Sequence, residues 1–275
     1  MKISIAIVTK DRLDLLSSCF NSLEKQTYRP EEIVVIDNGS LNKADSLCRF
    51  FSNTLPIKYF YESTPSRPKA RNIAINVSSH EIVVFIDDDC QADTKWLENI
   101  KKCFETFPDS FAVQGRIDSR QKNIIALTSN LQRLNNISLG YLETANLALN
   151  KTSLNRFEIK FDETLLSAYD FDISVKIIEK NGKICFAQDA LVYHSYTLSL
   201  VKEIERYFTY GFWDFKLKKA YPKKGKQIPN LFNFINLLRE ENKPNIFYKI
   251  CIFCYYLASS FISLIGYLAA SFYSK

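Results

Sequence analysis

Three consecutive aspartates, Asp87, Asp88 and Asp89, directly follow a run of five apolar residues at 82–86. Adjacent like charges repel each other and are costly to remove from water, so such a cluster at the tip of a buried strand needs a compensating cation. Hard divalent ions such as Mg²⁺ bind one or two carboxylates together with the phosphate oxygens of a ligand. The cluster therefore predicts a metal-assisted phosphate site. The alternative is a solvated acidic turn that caps the next helix.

The elements that position these carboxylates alternate between strand and helix. Short β-branched apolar runs predict strands, and apolar residues spaced three or four apart predict helices. The predicted strands are 3–8, 31–37, 57–62 and 81–87, and the predicted helices are 12–26, 42–52, 70–78 and 94–106. This alternation predicts an α/β fold with a mostly parallel sheet flanked by helices, whose ligand crevice lies beyond the carboxyl ends of the strands. Thr9, Asp11 and Asp37 end two of these strands and are expected in the same crevice.

Composition and charge limit the classes of protein that are compatible with the chain. Of its 275 residues 47% are hydrophobic, which allows a sizeable core and excludes global disorder. The net charge is +6, and the basic excess lies entirely in residues 196–275, which suggests an anionic partner surface. The seven cysteines have no disulfide-framework spacing, and no signal peptide opens the chain, so reduced thiols in a cytosolic protein are expected.

The last 79 residues, 197–275, form a basic and aromatic helical extension with a different pattern. Six lysines occur within 216–226, and residues 250–273 carry no charge over a length that could span a bilayer. Basic residues next to an apolar helix favour an anionic membrane surface over nucleic acid as the partner. We therefore predict membrane attachment through 250–273 and no nucleic-acid partner. The alternative for this run is a buried core helix.

Residues 3 to about 195 resemble family 2 glycosyltransferases, which use nucleotide sugars and have the GT-A fold. Seven segments resemble the family's motifs in the family's order: IAIVTKDR, SLEKQTYRPEEIVVIDNGS, PSRPKARNIAIN, FIDDDC, ETANLALNK, FDETLLSAYDFDISVKI and LVYHSY. The resemblance implies a catalytic domain over 1–196, with a nucleotide-sugar part over about 1–115 and an acceptor part over about 116–196.

The resemblance also implies roles for individual residues. The donor would be bound by residues on the first four strands and the loops that follow them: Thr9, Asp11, Arg12, Asp37, Arg71, Asp87 and Asp88. Asp37 would bind the base, which favours a UDP or dTDP sugar. A divalent cation, Mg²⁺ or Mn²⁺, would be held by Asp89, Asp87 and His194. Strand alternation would turn Asp87 and Asp89 the same way.

Asp170 would be the catalytic base, and Asn146 and Tyr169 would lie on the acceptor side. The usual Glu-Asp pair of the catalytic block reads Tyr169-Asp170, so the essential carboxylate is kept and its acidic neighbour is lost. The Gly-Gly that often precedes Phe-Asp-Glu is replaced by Ile159-Lys160, which affects the expected acceptor-loop geometry.

The implied activity is inverting sugar transfer to a glycan or lipid-linked acceptor at the cytoplasmic face of a membrane, in polysaccharide or glycolipid synthesis. Two alternatives stay open from the sequence. A sugar-phosphate nucleotidyltransferase would need a Gly-rich loop after the first strand, where the chain reads VTKDRLD. A membrane-attached binding module without activity would be expected to lack Asp170 or the triple aspartate.

Overall fold

The computed structural model describes residues 1–121, 123, 125–130, 133, 140–196, 199–221 and 246–273. Within these residues the strands are β1 Ile3–Thr9, β2 Glu32–Asn38, β3 Ile57–Glu62, β4 Ile82–Ile86, β5 Cys90–Ala92, β6 Ser110–Asp118, β7 Asn146–Asn150 and β8 Lys183–His194. The helices named below are α1 Leu13–Leu23, α2 Asp45–Phe51, α3 Arg67–Val77, α4 Trp96–Thr106, α5 Lys151–Arg156, α6 Tyr169–Glu179, α7 Leu200–Ala220 and α8 Ile246–Tyr273.

The strands form one sheet in the order β3-β2-β1-β4-β7-β6-β8-β5. Strands β3, β2, β1 and β4 are parallel, with Thr9 of β1 in register with Asp37 of β2. Apolar side chains from both faces are buried in two separate core clusters, as expected for a sheet covered by helices on both sides. The predicted fold class, a mostly parallel sheet flanked by helices with a helical C-terminal part, is confirmed.

The second half of the sheet positions residues from distant parts of the chain. Strand β7 pairs antiparallel with β4 and β6, and β8 runs parallel to β6. The short strand β5 pairs antiparallel with the end of β8, so that Cys90 lies opposite His194. This pairing brings His194 to the turn that holds the three aspartates.

Helix boundaries follow local capping more closely than the apolar pattern does. Helix α3 begins at Arg67, earlier than the predicted residue 70. The reason is that the Ser66 side chain accepts a hydrogen bond from the backbone N–H of Lys69, and Pro68 occupies the first turn, where its missing N–H costs nothing.

The chain forms two compact units. The first contains Met1–Arg120 and Tyr141–Ser195, and the second contains Gln121–Gly140 and Tyr196–Lys275. By their contacts, residues 121–140 thus belong to the same unit as the C-terminal residues. The predicted functional division at residue 196 stays a prediction.

The second unit contains the predicted apolar run, which lies within helix α8. The part from Phe253 to Phe272 is long and apolar enough to cross a membrane, and 22% of it is buried inside the protein. The same length and composition occur in core helices of soluble proteins, so this finding alone does not decide the question. Residues 222–226 of the lysine-rich segment lie outside the described residues.

Candidate active site

The three aspartates form a turn and not the end of a strand. Strand β4 ends at Ile86, and the backbone N–H of Cys90 donates to the carbonyl oxygen of Asp87 at 3.0 Å, which closes a turn over 87–90. Strand alternation therefore does not apply. The expectation that Asp87 and Asp89 point the same way is corrected: Asp87 contacts Arg71, whereas Asp89 contacts Arg12 and His194.

Two arginines compensate the charge of this aspartate turn. Arg12 Nη1 lies 3.2 Å from Asp88 Oδ1 and 2.9 Å from Asp89 Oδ2, and Arg71 Nη2 lies 3.2 Å from Asp87 Oδ1. Asp88 is buried and also accepts a hydrogen bond from Thr9 Oγ1 at 2.8 Å. Burial raises the pKa of Asp88, and Arg12 partly opposes that shift. The three carboxylates are thus stable directly after a buried strand because two guanidinium groups and a hydroxyl bind them.

Three side chains beside this turn could hold a metal ion. One ligand atom each from Asp89, Cys90 and His194 lies within 4.8 Å of the other two. A carboxylate oxygen, an imidazole nitrogen and a thiol sulfur form a donor set that suits divalent ions of intermediate softness. Asp87, predicted to share the metal, is outside this group and pairs with Arg71. The sequence reasoning missed Cys90, whose only local signal is its place directly after the aspartates.

Arg71 is a buried guanidinium with unused donors. Its side chain is 5% exposed, it stacks over the Tyr169 ring with Cζ 4.7 Å from the ring centroid, and its Nε and Nη1 atoms are buried without a hydrogen-bond partner. Buried N–H groups without partners are costly, and a bound anion would supply acceptors for these two donors. Tyr169 is itself buried and lies beneath the guanidinium, which it supports. Its predicted acceptor-side role stays a prediction.

Asp170 lies in the first turn of helix α6, which begins directly after Ala168. The backbone of Ala168 is left-handed, with φ 61°. The Oδ2 of Asp170 is 3.3 Å from the Thr144 hydroxyl, and its Oδ1 is buried with no hydrogen-bond partner. Burial raises the pKa of Asp170 from the usual 3.8 to about 6, although Arg71 acts in the opposite direction. A carboxylate with this pKa and an unused oxygen can accept a proton near neutral pH.

Asn72 connects the helix that carries Arg71 to the segment that leads to Asp170. Its amide donates to the carbonyl oxygen of Phe161 and to Glu163 Oε1, both at 2.9 Å, and its Oδ1 accepts from the Phe161 N–H at 3.0 Å. Arg71 and Asn72 are adjacent on α3 but have different partners. Arg71 binds the aspartate turn, and Asn72 holds the 161–163 loop in place.

Asp37 is fully buried, and its carboxylate accepts hydrogen bonds from the N–H groups of Ser40 and Ala44 and from the Tyr59 hydroxyl. These bonds shape the loop after β2, and the predicted base-binding role of Asp37 stays a prediction. Asp11 is also committed to that loop, because its Oδ1 accepts from the N–H groups of residues 41 and 42.

Asn146 is likewise committed to the fold. It is fully buried, its Oδ1 accepts from Trp96 Nε1 at 2.8 Å, and its amide nitrogen donates to the carbonyl oxygens of Arg116 and Ala190 at 2.8 Å. The side-chain amide thus cross-links β6, β7, β8 and α4. The expected acceptor-side role of Asn146 stays a prediction.

Residues 4–156 match the model of a known family, Glycosyl transferase family 2. The chain belongs to glycosyl transferase family 2. This confirms the resemblance drawn from the motifs and identifies the protein as a glycosyltransferase, which decides against both alternatives left open by the sequence.

Curated relatives of this family 2 glycosyltransferase have named activities. It is 23% identical to the O-antigen chain rhamnosyltransferase RfbN of Salmonella typhimurium over 77% of this chain and 72% of RfbN. It is 26% identical to the glucosyl-dolichyl phosphate glucuronosyltransferase of Haloferax volcanii, over 42% of this chain and 38% of that relative. The match thus spans well under half of the archaeal protein.

Solved structures show the same fold at low sequence identity. The mannosyltransferase PcManGT from Pyrobaculum calidifontis, in complex with GDP-Man and Mn²⁺, superposes with a TM-score of 0.70 at 15% identity, over 97% of this chain and 87% of that one. S. aureus TarS 1-349 in complex with UDP-GlcNAc superposes with a TM-score of 0.61 at 19% identity, over 94% and 82%.

Proposed function

We propose that this glycosyltransferase transfers a sugar from a nucleoside diphosphate sugar to an acceptor hydroxyl with inversion at the anomeric carbon. The observation that carries the proposal is the pairing of Arg71 and Asp170. Arg71 has buried N–H groups without partners, Asp170 has a buried oxygen without a partner, and the charge of Arg71 acts on the pKa of Asp170. A cationic donor for a leaving group and a base for a nucleophile are thus close enough to interact.

The diphosphate would be bound by the arginines of the aspartate turn. Arg71 would donate its free N–H groups to phosphate oxygens, for which a planar guanidinium is well suited. Arg12, which is 43% exposed and bridges Asp88 and Asp89, would reach the same ligand from the other side. Thr9 would hold Asp88 in place through its hydroxyl.

A divalent cation would be held beside the diphosphate by Asp89 and His194, with Cys90 adjacent. Mn²⁺ suits the imidazole nitrogen better than Mg²⁺, which takes oxygen ligands. When bound, the cation would supply Lewis-acid stabilisation of the leaving group's negative charge. PcManGT, which has the same fold, was crystallised with Mn²⁺. Asp87 would remain with Arg71 and keep the guanidinium oriented towards the phosphates.

Asp170 would remove the proton from the acceptor hydroxyl. As that proton moves to Asp170 Oδ1, the acceptor oxygen forms a bond to the anomeric carbon, and the bond from this carbon to the diphosphate oxygen breaks. A single displacement from the face opposite the leaving group inverts the configuration. The proposal needs one base and no enzyme nucleophile, which agrees with the one buried, unpartnered carboxylate oxygen of Asp170.

The donor's base and the acceptor are proposed only as classes. The preference for a UDP or dTDP sugar, which rests on Asp37, stays a prediction, and we propose the donor class as a nucleoside diphosphate sugar. RfbN is named for O-antigen chains and the Haloferax relative for a dolichyl phosphate sugar. We therefore propose a glycan or lipid-linked acceptor, a role in cell-surface polysaccharide or glycolipid synthesis, and a place at the cytoplasmic face of the membrane through α8.

The test is a panel of UDP, dTDP and GDP sugars, with binding measured by calorimetry and transfer or hydrolysis measured by mass spectrometry. Arg71→Lys should weaken binding of the accepted donor at least tenfold, because lysine lacks the fork of N–H groups. Arg49→Lys, at an arginine with an 83% exposed side chain, is the matched control and should bind as the parent does. Unchanged donor binding by Arg71→Lys, or binding of no nucleotide sugar by the parent, would overturn the proposal.

A further inference from the structure

Helices α7 and α8 of the second unit run side by side in the same direction. Three contacts share an offset of 52 residues: Glu203 with Tyr255, Gly211 with Ser263, and Phe215 with Tyr267. Both members of these pairs advance together along the chain, so the helices run parallel. The contact of Gly266 with Phe208 has an offset of 58 residues, so the two helices are level to within about six residues, or about 9 Å.

Two glycines make this pairing close. A Cβ atom at Gly211 would collide with the carbonyl oxygen of Ser263, and a Cβ atom at Gly266 would collide with that of Phe208. Each helix thus presents a glycine to the backbone of the other. A polar contact adds to this at one end, where the Tyr255 hydroxyl and Arg206 both donate to the Glu203 carboxylate. The two helices consequently behave as one unit, which we call the helix pair.

Helix α8 has one face against α7 and one exposed apolar face. The exposed apolar side chains recur about once per turn between residues 257 and 272: Leu257, Phe261, Leu264, Ile265, Leu268 and Phe272. On the opposite side Tyr256, Ser259 and Ala270 are buried. Phe261 is 64% exposed and Phe272 is 75% exposed, so this face is a continuous apolar stripe that no described residue covers.

Helix α7 adds a shorter apolar stripe and a set of charges. Val201, Ile204 and Phe208 are exposed at helical spacing. Its exposed charged residues include Lys202, Glu205, Lys216, Lys218 and Lys219. The helix pair therefore combines exposed apolar side chains with a lysine-rich end, the pattern of segments that lie in the headgroup region of anionic membranes.

The level arrangement argues against a helix pair that crosses the bilayer. If 253–272 spanned it, offsets of 52 to 58 residues would place Glu205 level with residues 257–263, at most about 8 Å from the midplane at 1.5 Å per residue. Glu205 is exposed, and charged side chains in the hydrocarbon region are costly unless they are paired inside the protein. Apolar length alone would permit a span of α8, but the charged helix packed along it would have to enter too.

We infer that the helix pair lies in the plane of an anionic phospholipid surface, with the stripe of α8 in the acyl boundary and the lysines of α7 at the headgroups. The inference deepens the membrane association proposed above and is independent of the chemistry at Asp170. It also defines the partner chemically: an apolar layer that accepts the stripe, and negative headgroups that attract Lys216, Lys218 and Lys219.

Depth measurements distinguish an in-plane helix from a spanning one. Leu257→Trp, Leu264→Trp and Phe272→Trp place indoles along the stripe, while the native Trp96 and Trp213 are buried. Vesicles of phosphatidylcholine with phosphatidylglycerol would carry bromine either near the headgroups or deep in the acyl chains. An in-plane helix gives all three tryptophans the same profile, quenched most by shallow bromine. Strongest quenching of Leu264→Trp by deep bromine, with the other two quenched by shallow bromine, would overturn the inference in favour of a span.

Flotation of the full chain with the same vesicles tests the surface itself. Phe261→Glu should lower vesicle binding at least tenfold, whereas Phe50→Glu, at a 69% exposed phenylalanine of α2 in the first unit, should leave binding unchanged. Circular dichroism checks that both variants are folded. Binding of Phe261→Glu at the parent's level would refute the docking surface. Failure of the parent to bind any vesicle would remove membrane association as well, while the nucleotide-sugar panel would still test the transferase proposal.

Discussion

Replacement of Asp170 by asparagine should make the protein more stable and much less active at the same time. The raised pKa of Asp170 means that ionisation is harder in the folded chain than in the unfolded chain. A carboxyl of this kind favours folding below its unfolded pKa and loses that contribution as the pH rises through its folded pKa. Asparagine has nearly the same shape, can keep the bond from Thr144, and is never ionised.

The size of the effect follows from the shift. Folding raises the pKa of Asp170 from 3.8 to about 6. Since one pKa unit corresponds to about 1.4 kcal/mol, the ionised side chain lowers the free energy of unfolding by about 3 kcal/mol at pH 8. At pH 5, between the two values, roughly half of this penalty is expected, and at pH 3 almost none. Asp170→Asn should therefore raise the melting temperature by about 5–10 °C at pH 8 and by less at pH 5.

The assay combines thermal or urea unfolding at pH 5 and pH 8 with turnover at pH 8. Turnover should fall by about 10² to 10⁴ if Asp170 is the general base, with donor binding nearly unchanged. Asp172→Asn is the matched control two residues away, because buried Asp172 is paired with Lys176 at 2.6 Å and its replacement should destabilise the fold. If Asp170→Asn is no more stable than the parent, or if its gain in stability is the same at both pH values, burial does not raise the pKa of Asp170 and the reasoning is refuted. A large loss of donor affinity with intact turnover would assign Asp170 to the donor instead.

Two further predictions concern single residues beside the site. Ala168→Gly should raise the free energy of unfolding by about 1 kcal/mol in urea titration, because glycine adopts the left-handed backbone at φ 61° without strain; a loss of stability would contradict this. If Cys90 lies in the metal shell, Co²⁺ added to the protein should produce a thiolate-to-cobalt absorption band that Cys90→Ser abolishes and Cys103→Ser keeps. A band that persists in Cys90→Ser would exclude the thiol as a ligand.

Local pattern in the sequence was sufficient for the order of β1 to β4 and of the four helices α1 to α4, and for the position of the aspartate cluster. The apolar runs that became β1, β2, β3 and β4 are β-branched and flanked by turn residues, so their type depends mainly on their neighbours in the chain. The motif that contains Asp170 could also be recognised locally. These predictions needed no knowledge of which strand lies beside which.

Only the tertiary structure decided which polar groups remain available to a ligand. Asp37 and Asp170 are both carboxylates in motifs of the family, yet the first has its oxygens occupied by Ser40, Ala44 and Tyr59, whereas Oδ1 of the second has no partner. The partners of Asn146 come from β6, β8 and α4, far along the chain. Hydrogen-bond satisfaction depends on such long-range contacts, which periodicity does not encode.

The same reason applies to the C-terminal helices. The uncharged stretch of 250–273 is visible in the sequence, and its length alone is compatible with a membrane span. That α7 packs alongside this stretch and brings Glu205 within its length follows only from helix packing, in which Gly211 and Gly266 allow the two backbones to meet. Apolar length is a property of one segment, whereas the cost of inserting it depends on everything packed against it.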